Sequence, residues 1–149
     1  MSTHDAKAIV TRFYELVIND RDFAAVDELL APDFVLHSSM VGEVRGAAGF
    51  EGSALALVQA CPDLRVTVDD RLAAERDMVV ARVTYRGTDT GGLLPGARPT
   101  GNPFEFTALY LWRVTRGRLA ELWQEADRLR LVQQLGSQAG DSARASREG

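Results

Sequence analysis

The sequence is poor in the residues that build disulfides and metal sites, with one cysteine and two histidines in 149 residues. A single cysteine cannot form a disulfide within the chain, and two isolated histidines offer no ligand spacing for a metal ion. Cys61 lies among apolar residues directly before Pro62, and neither His4 nor His37 is close to it in sequence. Because a nucleophilic cysteine needs a basic partner, we interpret Cys61 as a core residue.

The sequence also lacks a basic stripe and a long apolar run. Its 17 basic and 21 acidic residues are interspersed and give a net charge of −4, which argues against a nucleic-acid partner. No unbroken apolar run is longer than Ala108–Trp112, and the first residues are polar. This is too short for a membrane span or a signal sequence, so we expect a cytoplasmic protein without a membrane partner.

A cofactor is not expected either. The glycine-rich stretch between Gly87 and Gly101 lacks the following lysine and the helix start of a phosphate-binding loop. What the chain does have is 46% hydrophobic residues, enough for one core in a single domain. We place that domain at residues 1–136, and we expect the polar tail, residues 137–149, to be disordered.

Apolar residues at helical spacing dominate the first part of the chain. Ile9, Val10, Phe13, Leu16 and Val17 lie on one helical face, which predicts a helix to about residue 18. After a turn at residues 19–22, a second short stripe ends before residue 32, and the two helices form an antiparallel pair. A third helix is predicted from residue 47, closed by the proline at residue 62.

Strand-like patterns dominate the second part. Phe34–His37 predicts a short strand, followed by a loop that holds two glycines. Two long strands with period-two alternation join near residues 75–77, and two more follow a long loop, before a short helix that ends at residue 136. These strands are predicted at Leu64–Val68, Val79–Tyr85, Phe104–Thr115 and Arg118 to about Asp127. The loop from Thr88 to Pro103 is long enough to cover the mouth of a pocket.

The strand Phe104–Thr115 carries large apolar side chains on both faces. Such a strand must be covered on both sides, by a helix on one side and by a cavity, a ligand or a second subunit on the other. The pattern therefore predicts an apolar pocket and a homodimer in which a two-fold partner covers the outer face.

Several short segments between residues 5 and 136 form a recognisable series: Phe34–His37, Gly42–Gly46 leading to Gly49–Phe50, Pro62–Val68, Tyr85–Gly91, Pro99–Gly101, Leu119–Asp127 and Gln133–Gly136. In this order they resemble the SnoaL-like polyketide cyclases, within the nuclear transport factor 2-like superfamily. The resemblance implies an α+β fold, a cone in which a curved antiparallel sheet packs against three helices around an apolar pocket. It also implies an enzyme that closes a ring of a polyketide ester by intramolecular aldol condensation, without metal or cofactor.

The resemblance suggests where the acid–base groups lie. Family members carry acidic residues just after the tryptophan of the last strand, which makes Asp127 our first catalytic candidate and Glu125 the second. His37, next to Leu36 on a strand, is a third candidate for the cavity. Asp127 also stands where it could cap the last helix, and a lone strand histidine is more often structural.

Two positions depart from the family pattern. Gln124 stands where the family often has Asp, and Tyr110 stands where it has His on the preceding strand. If those two groups carry the aldol step, the step is lost or altered here. The side chains that we expect to line the pocket and bind substrate, or in part to fill the core, are Phe13, Tyr14, Phe50, Tyr110, Trp112, Trp123 and Gln124.

Three other functions known for this fold are alternatives to the cyclase: epoxide opening, isomerisation and non-catalytic binding. Epoxide opening in this superfamily uses an Arg with an Asp two residues away, and Arg113 has Leu111 and Thr115 at those offsets, which disfavours it. An isomerase using a single carboxyl remains open. So does a non-catalytic carrier of a small apolar or polyketide-like ligand, which the missing His and Asp favour.

Overall fold

The computed structural model describes residues 2–69, 72–94 and 96–136. The predicted tail lies outside the described residues. Within them the order of elements is two helices, two strands, a third helix, five strands and a fourth helix. The described part of the chain contains no helix that is both long and apolar enough to cross a membrane.

Helix α1, Thr3–Phe13, continues into a π-helical segment, Tyr14–Asn19. Ser2 caps α1, because its hydroxyl accepts a hydrogen bond from the Asp5 N–H at 3.1 Å while the Asp5 carboxylate accepts from Ser2. The apolar face identified in the sequence is buried against the sheet. The predicted end near Ile18 is confirmed to within one residue.

The other helices are α2, Ala25–Leu29, α3, Ala47–Ala60, and α4, residues 128–136. The prediction for α3 is confirmed, and the predicted last helix is helical over residues 128–136, up to the limit of the described chain. The second helix is shorter than the apolar stripe suggests, because Leu30 already has extended backbone angles, φ −96° and ψ 142°, and begins the first strand. Gly46, before α3, has a φ of +80°, a left-handed value that favours glycine.

Seven strands form one curved, unclosed sheet, with the order β2-β1-β7-β6-β5-β3 and β4 paired to β5. The predicted α+β fold with a curved antiparallel sheet is confirmed. One pair departs from the antiparallel pattern, because β1 and β7 run parallel. The strands are β1 Leu30–Ser38, β2 Gly42–Arg45, β3 Arg65–Val68, β4 Ala73–Glu75, β5 Met78–Thr88, β6 Pro103–Thr115 and β7 Arg118–Ala126.

The sequence predictions miss two strands and misjudge the length of others. The predicted glycine loop after β1 contains β2, which has a single apolar residue, Val44, and therefore no alternating pattern. The first of the two predicted long strands is only four residues, β3, and the connection to β5 contains β4. The strand predicted at Phe34–His37 is longer at both ends, because it pairs with β2 and β7.

The predicted hairpins are confirmed. Arg76 and Asp77 turn the chain from β4 to β5. Arg116 and Gly117 turn it from β6 to β7 with φ values of 52° and 77°, the two positive values that a type I′ hairpin turn requires. This meander of β5, β6 and β7 carries most of the inner surface of the sheet.

Strand β6 separates two very different faces. Its inward side chains, Phe104, Phe106, Ala108, Tyr110, Trp112 and Val114, are all buried. On the outer face Leu109 is 53% exposed, so nothing in the described chain covers it. Cys61 is fully buried, as its core interpretation requires, and burial raises the pKa of its thiol to about 11.

Candidate functional site

A largely apolar cavity of about 360 Å³ lies between the inner face of the sheet and the helices. Its walls come from α1 and the π-helical segment, α3, the inner residues of β1, β5, β6 and β7, the turn after β1, residues 92–94 and α4. Among the lining residues Arg128 is the only charged one, and none is an aspartate, glutamate or histidine. The polar lining side chains are Tyr14, Ser53, Tyr85, Tyr110, Gln124 and Arg128.

All three tyrosines of the chain line this cavity. Tyr85 lies on β5 and Tyr110 on β6, and their hydroxyl groups form a hydrogen bond with each other. Tyr110 also lies directly opposite Gln124 of β7, whose Nε2 donates to the Tyr110 hydroxyl at 2.7 Å. The polar end of the cavity is therefore a connected pair of phenols backed by an amide.

Ser38, at the end of β1, fixes the orientation of that amide. Its Oγ accepts hydrogen bonds from the backbone N–H groups of Met40 at 3.0 Å and Val41 at 3.2 Å. The serine proton is therefore the one that points to Gln124, where it meets Oε1. Because Oε1 faces Ser38, the Nε2 donor faces Tyr110.

This orientation leaves one phenol proton free. A phenol has one proton to donate, and the Tyr85–Tyr110 bond uses one of the two that the pair carries. Since Gln124 donates to Tyr110 rather than accepting from it, the second proton has no acceptor in this chain of hydrogen bonds. One O–H of the pair is thus available to a carbonyl oxygen in the cavity.

Tyr14 supplies a second donor of the same kind. Trp112 is completely buried beneath it, and the indole Nε1–H donates to the Tyr14 hydroxyl at 3.2 Å. The hydroxyl therefore acts as an acceptor toward Trp112 and keeps its own proton for another partner. The edge-on packing of Tyr14 against Tyr110, with ring centroids 5.6 Å apart, places both rings in the same wall.

Burial keeps these phenols protonated. It raises the pKa of Tyr85 to about 12, and it raises the pKa of both Tyr14 and Tyr110 well above the ordinary tyrosine value. Near neutral pH the three hydroxyls therefore donate hydrogen bonds and do not act as bases. The described cavity wall presents hydrogen-bond donors without a carboxylate or an imidazole.

Most of the predicted substrate-binding side chains do line the cavity. Phe13, Tyr14, Phe50, Tyr110 and Gln124 all belong to its wall. Their role in binding stays a prediction, since the wall by itself identifies no ligand.

The two tryptophans lie outside the wall. Trp112 is buried behind Tyr14. Trp123 points to the outer face of the sheet, where its ring stacks on His37 with centroids 5.5 Å apart.

Asp127 does not reach the cavity. It is exposed, and its Oδ1 accepts a hydrogen bond from the Arg130 N–H at 3.1 Å at the start of α4. This is the contact of a helix N-cap, the alternative that the sequence left open. The strand alternation explains the placement: Asp127 lies three positions after Gln124, an odd number, so the two side chains leave opposite faces.

His37 and Glu125 also lie away from the cavity. Glu125 is exposed on β7, one residue from the inward Gln124. His37 alternates with the buried Leu36, and its Nε2 lies 2.7 Å from Glu121 Oε2 on the outer face. Arg113 also binds Glu121, and hydrogen bonds from His37 and Arg113 lower the pKa of Glu121. None of the three lines the cavity, so this cluster is a half-buried charge network on the outer face.

Sequence reasoning missed three residues of the site. Tyr85 follows the inward alternation of Val79, Ala81 and Val83, which marks its face, yet nothing local indicates that its hydroxyl meets Tyr110. Ser38 and Arg128 carry no signal of their own. They reach the site only through the parallel pairing of β1 with β7 and the turn into α4.

The sequence model of the SnoaL-like polyketide cyclases matches residues 8–135, nearly the whole described chain. The chain belongs to this family. The match includes every strand and every wall of the cavity, and it confirms the resemblance found in the sequence.

Solved structures agree with this membership. The chain is 31% identical to IdmH from Streptomyces antibioticus, a candidate polyketide cyclase, with 88% of this chain and 98% of that chain covered and a TM-score of 0.76. A candidate polyketide cyclase from Acidithiobacillus ferrooxidans is 30% identical, with coverage of 92% and 99% and a TM-score of 0.79. AclR from Streptomyces galilaeus, a candidate hydroxylase, is 26% identical, with coverage of 91% and 98% and a TM-score of 0.77.

A comparison with curated proteins finds no match. Family membership and fold therefore rest on the family model and the solved structures. They leave the reaction of this member open, since the relatives are named for more than one activity.

Proposed function

We propose that this protein binds a small, mostly apolar polycarbonyl molecule and promotes its ring closure, as a polyketide cyclase without metal or cofactor. The observation that supports this proposal most directly is the phenol pair Tyr85–Tyr110, which presents one free O–H inside an apolar cavity. A carbonyl oxygen is the acceptor that such a donor fits. The apolar walls accommodate the rest of the molecule and fold it into a reactive geometry.

The chemistry asked of the protein is modest. A substrate with carbonyls on both sides of one carbon reacts as its enol, in which the proton already resides on oxygen. That carbon forms the new C–C bond to a further carbonyl elsewhere in the same molecule. The enol proton passes to the alkoxide oxygen that results, so the atoms are conserved. A phenol that donates a hydrogen bond to this accepting carbonyl stabilises the negative charge that develops on the carbonyl oxygen.

This mechanism differs from the acid–base scheme that the family resemblance implies. No carboxylate or imidazole lies in the described wall, and the buried phenols stay protonated. The proton of the substrate therefore moves within the substrate or through water, and the protein contributes hydrogen bonds and shape. The predicted general base at Asp127 is replaced in this proposal by the donor pair.

The lack of a carboxylate or an imidazole in the described wall favours a second candidate function, a carrier that holds the polycarbonyl ligand without converting it. A carrier needs the donor pair and the apolar wall but no proton transfer, which is what the described wall offers. The two candidates predict the same affinity and differ only in turnover. An isomerase with one carboxyl has less support, because the described wall contains no carboxyl.

The test compares binding and ring closure in one series. Benzoylacetone serves as the binding probe, its hydrocarbon analogue butylbenzene as the control ligand, and a linear aryl triketone as the substrate for closure. Replacing both tyrosines, Tyr85→Phe with Tyr110→Phe, removes both donors and keeps the rings. We expect roughly tenfold weaker binding of benzoylacetone, unchanged binding of butylbenzene, and closure slowed by about 10²–10³-fold.

Each single variant is the internal control. One remaining phenol keeps one free O–H, so either single variant should retain most of the affinity for benzoylacetone. Binding without closure in the wild-type protein would establish the carrier instead of the cyclase. Equal affinity of the wild-type and double-variant proteins for benzoylacetone would remove the donor pair from the function altogether.

We also propose that the protein is a homodimer, as the apolar outer face of β6 suggests. Val80, Leu111 and Trp123 are neighbours in register across β5, β6 and β7, and Leu109 lies beside them. A second copy that packs on this face would bury apolar surface that is open in the single chain.

A further inference from the structure

The loop between β5 and β6, described at residues 89–94 and 96–102, contributes residues 92–94 to the cavity wall. Leu93 and Leu94 line the cavity and pack half-buried against the core. The two ends of the loop meet at its base, where Asp89 N–H donates to Asn102 O at 2.9 Å and Gly101 N–H donates to Asp89 O at 2.8 Å. The chain thus leaves and re-enters the sheet at one point, as in an Ω-loop.

The side chain of Asp89 joins the two arms of this loop. It is 2% exposed, and its Oδ1 accepts a hydrogen bond from the Leu93 N–H at 2.7 Å. Its Oδ2 accepts from both the N–H and the hydroxyl of Thr100, each at 3.0 Å. Burial opposes the charged form of Asp89, but these hydrogen bonds outweigh it and lower its pKa.

Few other hydrogen bonds hold the described wall residues of this loop in place. Gly91 N–H donates to Ala60 O at 2.8 Å, and a Cβ on Gly91 would lie 2.7 Å from Ala60 Cα, so the loop passes close over the end of α3. Beyond that point, the described loop residues before Thr100 make one further backbone hydrogen bond, from Ala97 N–H to Leu94 O. That bond joins two residues of the loop itself. The Leu93 N–H is therefore linked to Thr100, on the part of the loop that leads back to β6, through the side chain of Asp89.

We propose that Asp89 is a positioning residue, which sets the Leu93–Leu94 wall of the cavity and so determines how long the cavity retains a ligand. It acts through these two leucines and touches no ligand itself. The inference uses the proposed function only in assuming that the cavity binds a molecule. Loop position and probe escape are therefore measured separately from carbonyl binding and ring closure.

Asp89→Asn tests the proposal. The asparagine keeps one side-chain oxygen, and its NH₂ group must face the N–H of either Leu93 or Thr100, a donor against a donor. We expect amide hydrogen exchange at Leu93 and Thr100 to rise by about tenfold or more. Benzene, which fills apolar cavities without hydrogen bonds, should leave the cavity faster by a similar factor in NMR exchange measurements.

Asp63→Asn is the matched control. Asp63 accepts hydrogen bonds from the N–H of Thr88 at 2.9 Å and from its hydroxyl at 2.7 Å, the same donor types, but it lies outside the cavity wall. We expect it to change neither the Leu93 exchange nor the escape of benzene. Thr100→Val keeps the Thr100 N–H and removes the hydroxyl that donates to Asp89 and accepts from the Asn102 N–H. It should shift both quantities in the direction of Asp89→Asn by a smaller factor, and it serves if Asp89→Asn fails to fold.

The kinetic readout separates positioning from general destabilisation. With the phenol pair intact, Asp89→Asn should raise KM for the aryl triketone while kcat stays within about twofold of wild type. The proposal is overturned if Asp89→Asn and Thr100→Val match Asp63→Asn in loop exchange and benzene escape. If benzene escape accelerates but benzoylacetone never binds the wild-type protein, the loop inference stands and the proposed function fails.

Discussion

Gln124 and Tyr110 face each other across β7 and β6, and the glutamine Nε2 donates to the phenol oxygen at 2.7 Å. The resemblance found in the sequence implies Asp and His at these two positions. The two departures from that pattern lie in one hydrogen-bonded pair, an amide and a phenol, both neutral. This pair determines which protons are free in the cavity.

Gln124→Glu should remove the free phenol proton without removing a phenol. The introduced carboxylate, when ionised, accepts from Tyr110, whose proton is then used, and Tyr85 must donate to Tyr110. We expect binding of benzoylacetone to weaken by roughly threefold to tenfold at pH values where the carboxyl is charged. Isothermal titration calorimetry at a series of pH values measures it.

The sign of the pH dependence distinguishes this effect from simple damage. The introduced carboxyl, when protonated, donates to Tyr110 as the glutamine does, so affinity should recover as the pH falls through the pKa of this carboxyl. Gln124→Met leaves one proton of the phenol pair free and should bind benzoylacetone nearly as the wild type does at all these pH values. If the affinity of Gln124→Glu for benzoylacetone does not vary with pH, the phenol pair does not have the one free proton that we infer.

The alkaline titration of the tyrosines offers a second test. All three line the cavity, and burial raises the pKa of Tyr85 from 10.0 to about 12. A raised pKa in the folded state means that folding favours the neutral phenol. This contribution to stability is complete below pH 10 and is lost as the pH rises toward about 12.

Tyrosinate absorbance and far-ultraviolet circular dichroism should therefore change together on raising the pH. The folded protein should show no tyrosinate transition near pH 10, the ordinary value. Tyr85→Phe should reduce the final tyrosinate signal by the share of one tyrosine. A transition near pH 10 with unchanged circular dichroism would mean that a tyrosine is open to solvent.

Much of the fold could be predicted from local patterns. The helical face of α1 and the alternation along β5 and β6 both mark surfaces that are buried in the structure. These patterns therefore predict both the type of each element and the face that it turns to the core. The parallel pairing of β1 with β7 and the short β2 depend on contacts between distant segments. Four residues with one apolar side chain carry no periodicity that reveals such a partner.

The site could be predicted only in part, because some of its contacts join segments that are distant in sequence. The family resemblance predicts Gln124 and Tyr110 in the cavity, and both line it. It does not say which face of β7 is inward, and so it predicts the outward Trp123 there as well. His37, a candidate for the cavity, instead lies on the outer face, because it alternates with the inward Leu36. The hydrogen bond between Tyr85 and Tyr110 could not be predicted, because these residues occupy different rungs of the sheet and meet only through the reach of their rings.

Asp127 should behave as a helix cap. Its Oδ1 accepts from the Arg130 N–H, so Asp127→Ala should cost about 1 kcal/mol, or about 2–4 °C in Tm, while Asp127→Asn keeps the acceptor and costs little. Glu125→Ala, at a neighbouring exposed position, should leave Tm nearly unchanged. Thermal unfolding followed by circular dichroism measures all three, and closure of the aryl triketone should survive in each. Loss of closure in Asp127→Asn at unchanged Tm would restore the catalytic assignment.

The outer face of the sheet should hold two copies of the chain together. Leu109 is 53% exposed and Val80 41%, and both flank the partly buried Leu111 and Trp123. Sedimentation equilibrium at micromolar concentration should give twice the chain mass of 16.3 kDa. Leu109→Lys places a charge on this face beside Leu111 and should give the mass of one chain. Leu129→Lys, at a position that is 68% exposed on α4, is the control and should remain a dimer. A wild-type particle of 16.3 kDa would show that this face stays open to water.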